Sequence, residues 1–258
     1  MKVSLHFKLG NCNQVVGDVT MKNLSRLLII IIVPLLLTAN DETITISGQV
    51  TYFDGHPVDS CFVELKDRQF GTVASTHTDS SGYYQLHVPK GTYLALLAIR
   101  KDEYAVNKLE YWAWNIYAYS DLTINPRYDK LEIYAMNVFR PQGAYPSYFI
   151  YFRPMGLSRV LEIGPENIPD LELLDIAPEL EIDDITVTIN DEMVDVFTVQ
   201  RILEYAGKQR IYAYLVQTAL PENITPDTQY DFIRLIVSDS EYGDRGEAMY
   251  MYDRKKYR

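Results

Sequence analysis

The chain has 258 residues, enough for one large or two ordinary domains that each bury a core. Its formal charge of −11, from 24 basic against 35 acidic side chains, excludes nucleic acid and an anionic membrane surface as partners, since both demand a basic footprint. Composition is otherwise that of a globular protein, apart from 21 Tyr.

Lys22 and Arg26 precede an apolar run over 27–37 that contains Pro34 and ends in Thr38-Ala39-Asn40. A basic start, a short apolar stretch and a small residue make a secretory signal beginning at Met21. Residues 1–20 then read as an upstream extension and 21–39 as a signal peptide. The run is shorter than the roughly 20 apolar residues that span a bilayer, which favours cleavage over the alternative of an uncleaved anchor. The segment would contact the membrane during export only. Cleavage would leave 20 basic against 34 acidic groups, a charge of −14, and would leave Cys61 without a disulfide partner because Cys12 departs. A lone cysteine on the inward side of a strand reads as a buried thiol.

From residue 44 onward the pattern is strand, turn, strand. Ile44, Ile46, Gly48 and Val50 alternate with Thr45, Ser47 and Gln49, the period of a strand with one face buried. Asp54-Gly55-His56-Pro57 breaks it, because Gly55 takes positive φ cheaply and Pro57 cannot donate to a ladder. Cys61, Val63 and Leu65 form the next inward set. A turn over 78–82 follows, then Tyr84, Leu86 and Val88 face in. If that turn pairs its flanking strands, His77 and His87 fall on opposite faces and cannot share a zinc ion with His56. The run 93–99 is apolar on both faces, as in a central strand covered from both sides.

The order S-G-Q-V, D-G-H-P-V, V-E-L, T-D-S-S-G-Y-Y and V-P-K-G-T-Y over residues 43–100 resembles the carboxypeptidase regulatory-like domain, a small β-sandwich of transthyretin-like fold. The resemblance implies an extracytoplasmic accessory module of the kind found beside zinc carboxypeptidases, in outer-membrane receptors and in surface proteins. It implies no catalytic residues.

Next comes Tyr111-Trp112-Ala113-Trp114-Asn115-Ile116-Tyr117-Ala118-Tyr119. Parity puts Trp112 and Trp114 on one face, read as core, and Tyr111, Asn115, Tyr117 and Tyr119 on the other, read as the exposed candidate for ligand binding. Strands over 131–139 and 148–153 extend this first domain to residues 43–157. Residues 158–178 hold three Pro without a clean period and read as a linker or irregular crossing. At least five short strands follow over 179–258, with one short helix expected at 199–205. The final hairpin, Leu235-Ile236-Val237-Ser238-Asp239 then Gly243 and Gly246-Glu247-Ala248, resembles that of an immunoglobulin-like or cadherin-like module. The fold expected is therefore all-β, two tandem β-sandwich domains, transthyretin-like then immunoglobulin-like, after a signal segment.

Enzyme signatures are missing from the sequence: no H-E-x-x-H, G-x-S-x-G or phosphate loop occurs. No cofactor is expected, with calcium the one metal to consider. Asp183, Asp184, Asp191 and Asp239 lie on turns between strands, where hard oxygen ligands suit Ca²⁺; a solvated acidic face explains the same residues. The expectation is an exported, non-enzymatic cell-surface or envelope β-protein that binds protein or glycan, with an accessory subunit of an extracellular hydrolase or transport system as the alternative.

Overall fold

In the computed structural model, the alternation between residues 44 and 99 becomes six strands: β1 (Thr43–Gln49), β2 (Thr51–Tyr52), β3 (Phe62–Lys66), β4 (Thr72–His77), β5 (Tyr83–Pro89) and β6 (Gly91–Ile99). The model describes residues 42–143, 145–168, 171–222 and 229–257, so the expected extension 1–20 and signal segment 21–39 lie outside the described residues. The inward sets fall where period two puts them. Ile44, Ile46, Cys61, Val63, Leu65, Tyr84, Leu86 and Val88 are all buried.

The chain continues through β7 (Tyr111–Ala118), β8 (Leu122–Thr123), β9 (Arg127–Tyr128), β10 (Leu131–Phe139) and β11 (Ser147–Gly156) to α1 (Leu157–Ile163) and β12 (Leu173–Leu174). It ends in β13 (Ile185–Ile189), β14 (Glu192–Val194), β15 (Val196–Ala206), β16 (Gln209–Ala219), β17 (Tyr230–Ser238) and β18 (Arg245–Asp253). The helix expected at 199–205 is instead the middle of β15, paired along its length with β16. There Val199, Arg201, Leu203 and Tyr205 alternate with Thr198, Gln200, Ile202 and Glu204, so a period of two overrides the helical spacing of Val199, Ile202 and Leu203. The crossing 158–178 contains α1 and β12.

Two smaller sheets, β5-β1-β8 and β10-β11-β16-β12 with β15 beside β16, flank one large one, and β2 and β9 form a separate two-stranded pair. The large sheet has the order β14-β13-β17-β18-β7-β6-β3-β4. Strands from 43–157 and from 179–258 therefore share it, joined where β7 runs parallel to β18 with Trp112 beside Ala248 and Trp114 beside Tyr250. Asn40–Arg258 form one compact unit. The strands flanking the 78–82 turn do not pair with each other: β4 is the edge of the large sheet, while β5 pairs with β1 in a sheet of order β5-β1-β8.

The two flanking sheets lie on opposite faces of the large one. Tyr84 of the small sheet bonds Ile124 O at 2.8 Å, and Thr123 and Ile124 sit beside Tyr111 and Met249 of the large sheet. On the opposite face, Tyr134 of β10 meets Trp112 and Trp114 edge-on at 5.5 and 5.3 Å. Tyr148 of β11 packs edge-on against Tyr252 at 4.8 Å. β10 crosses β18 so closely that a Cβ on Gly246 would stand 2.1 Å from Leu131 O, which only glycine allows. The β-sandwich thus occurs twice around one shared sheet, each flanking layer covering a different part of it.

Candidate functional site

Each flanking sheet is narrower than the shared one, so each leaves a step where its edge meets uncovered sheet. Under β17, Ile233, Leu235 and Val237 are fully buried against the β10-β11-β16 layer, while Phe232, Arg234 and Ile236 face the other way and are half-buried. Beside them the edge strand β8 is followed by Ile124-Asn125. The result is a cleft of about 330 Å³, with Tyr111, Ile124 and Met249 as floor and Phe232, Arg234, Asn125 and Asp191 as walls.

Each polar group there is held by its backbone. Asn125 Oδ1 accepts from Gln49 N at 2.9 Å, which leaves its amide nitrogen to donate at the cleft wall. Asn190 and Asp191 both take left-handed φ, 52° and 67°, as a two-residue turn between β13 and β14 requires. Asn190 locks that turn: its amide donates to Asp231 Oδ1 at 2.7 Å and its oxygen accepts from Phe232 N at 2.9 Å. Asp231 is buried, and although burial opposes it, bonds from Arg254, Tyr148 and Asn190 hold its carboxyl below the usual range.

Arg234 is the pivot. Its guanidinium stands 3.5 Å from Asp191 Oδ1 and 3.5 Å from Glu247 Oε1, both long for a charged hydrogen bond. Glu247 beneath it is buried, and Arg127 grips its other oxygen at 2.9 and 2.7 Å. Burial pushes the Glu247 carboxyl up, and Arg127 and then Arg234 oppose the shift. Arg234 therefore retains donor capacity toward the cleft.

Of the four residues read as an exposed binding row, Tyr111 lines this cleft while almost wholly buried. Tyr117 is buried under Tyr230, stacked at 4.5 Å, and Asn115 donates to Met251 O at 2.8 Å in place of the ladder. Only Tyr119 is exposed, its hydroxyl 3.1 Å from Thr92 Oγ1. Tyr111 and Tyr117 lie on the face opposite Trp112 and Trp114, but in a sheet shared by two sandwiches neither face of β7 is free. Trp112 and Trp114 are buried and stacked at 4.9 Å.

The four carboxylates considered for calcium do not converge. Asp184 accepts from Glu181 N at 2.9 Å in the short turn before β13, with Asp183 beside it. Asp191 lies at the other end of β13. Asp239 is buried, 3.2 Å from Arg159 Nε, and accepts from Glu241 N at 2.9 Å. Among the described residues no group of three or more His, Cys, Asp or Glu is placed to hold a metal ion. Cys61 is buried and free, its thiol pushed up to about 12 chiefly by burial. No described helix is long and apolar enough to cross a membrane.

Sequence reasoning missed Arg234, Asn125 and the cleft itself. The signal available was a single charge inside the apolar run Phe232-Ile233-Arg234-Leu235-Ile236, on the half-covered face.

Residues 45–110 match the carboxypeptidase regulatory-like domain, in agreement with the resemblance carried by the turns. No curated protein matches the chain. Among solved structures, BcpA, the major pilin subunit of Bacillus cereus, is 11% identical with a TM-score of 0.27, over 81% of this chain and 67% of that one. A DUF3823 family protein from Bacteroides ovatus is 10% identical with a TM-score of 0.24, over 80% and 98%. A candidate carbohydrate-binding protein from Bacteroides uniformis is 9% identical with a TM-score of 0.26, over 81% and 98%.

Proposed function

We propose that this chain is an exported, non-enzymatic binding protein of the cell surface or envelope, and that it holds a saccharide in the cleft beside Arg234. The observation that carries the reading is the mixed wall of that cleft. Arg234 and the Asn125 amide donate, Asp191 accepts, and Phe232 offers an aromatic surface at the side of an apolar floor. Neighbouring hydroxyls on one ring need donors and acceptors together, and the apolar face of the ring needs a flat hydrophobic partner. A volume of 330 Å³ is at the low end of what ligand pockets occupy, roughly 300–1,000 Å³, and suits one or two rings. The basic and apolar residues 22–37 and the regulatory-like domain support export.

Thermal melting and calorimetric titration of the purified protein against neutral and acidic oligosaccharides would test this. A ligand that prefers the folded state raises the melting temperature. At least one saccharide should do so, and Arg234→Ala and Asn125→Ala should each weaken its binding about tenfold or more, as loss of one ligand hydrogen bond does. Binding that both variants leave unchanged, or no saccharide binding at all, would sink the proposal.

A further inference from the structure

The long strand β15 pairs with β16 on one side and, among the described residues, with no strand on the other. Which of its backbone groups are free follows from β16. Arg210 N donates to Glu172 O, away from β15. In an antiparallel ladder the N–H and C=O of one residue point to the same side and the sides alternate. The partners of Arg210, Tyr212 and Tyr214 are Tyr205, Leu203 and Arg201, so these three β15 residues direct their N–H and C=O outward.

This edge has few of the features that usually protect one. Its eleven residues include no Pro or Gly and only two charges, Arg201 and Glu204. Leu203 and Tyr205 remain 47% and 76% exposed. We propose that β15 is a homotypic assembly edge, pairing antiparallel with β15 of a second copy of this chain about a twofold axis at Leu203. That register sets Leu203 against Leu203, Arg201 against Tyr205 and Ile202 against Glu204. Pairing centred on Arg201 or Glu204 would bring like charges face to face, which destabilises a strand pair. Joined edges would make the two β16-containing sheets continuous and cover the exposed Leu203 and Tyr205. The argument is independent of the saccharide reading.

Sedimentation of the purified protein across the micromolar range tests it. A reversible dimer is expected. Leu203→Pro should abolish it while the monomer keeps its strand signature, because the Leu203 N–H makes no bond to β16 and proline is tolerated at such an edge. Leu203→Lys should give the same result by charge, without altering the backbone. Oxidation of Leu203→Cys should trap a covalent dimer, since directly opposed Cα atoms about 5.5 Å apart lie within disulfide range. A protein monomeric at every concentration, or a dimer that survives Leu203→Lys, would overturn the assignment.

Discussion

The shared sheet ends in two steps of the same construction and opposite character. In one, beside β8, the walls hold Arg234 at arm's length from its two carboxylates and a cleft remains between them. In the other, beside β10, the space is filled: Tyr134 stands edge-on to the stacked Trp112 and Trp114, and Trp112 Nε1 donates to Glu132 at 2.9 Å. Glu132 is buried, and its carboxyl is pushed up to about 8 by burial and then by Glu110. Bulky aromatics closed the second step at the price of a buried acid, whereas the first kept a half-exposed cation and an opening. Rigid strands build both, so side-chain volume rather than fold decides which one can take a ligand.

The closed step should be where stability resides. Trp112→Ala removes a stacked ring and strands Glu132 without its donor, and should lower the unfolding free energy by about 3–5 kcal/mol in urea titrations. A loss below about 1 kcal/mol would mean that the aromatic stack is not core. Next in size is a pH effect with a definite sign. Because the folded pKa of Glu132 lies above its ordinary value, the folded state binds the extra proton. That stability is full below the normal carboxylate range and is lost as pH rises toward 8. The drop between pH 5 and 9 should be on the order of 3 kcal/mol and should shrink to a small remainder in Glu132→Gln, whose amide oxygen still accepts from Trp112. Glu110, also pushed up by burial, adds to the slope, so the double variant with Glu110→Gln should be the flattest.

How much of this was legible in the sequence depends on whether the information was local. The strands between 44 and 99 and their inward faces were, because alternation and turn chemistry need only neighbours. The partners of those strands were not. Nothing near residue 80 says that β4 and β5 part into different sheets, and nothing in Trp112 or Trp114 names β18, more than a hundred residues away, as the neighbour. The same limit explains the tyrosine row. Parity separated Tyr111 and Tyr117 from the Trp pair, but which face meets solvent is set by layers contributed from elsewhere. The acidic residues show it again, since Asp239 is occupied by Arg159 of a helix the sequence presented as irregular crossing.

The smallest effects belong to the open step, and there two arginines on one carboxylate should behave differently. Arg127 reaches Glu247 at 2.7 and 2.9 Å, while Arg234 stands 3.5 Å from it. Arg127→Ala leaves a buried carboxylate with only a distant cation and should cost about 2 kcal/mol, measured by chemical denaturation. Arg234→Ala leaves Arg127 in place and removes a side chain that is about a third exposed, so it should change stability by less than about 1 kcal/mol. If Arg234→Ala proved the costlier of the two, Arg234 would be the structural partner of Glu247, without donors to spare for a ligand. If the expected order holds and saccharide binding is lost only with Arg234, the cation at the open step is there for recognition, and its long contacts are what keep it available.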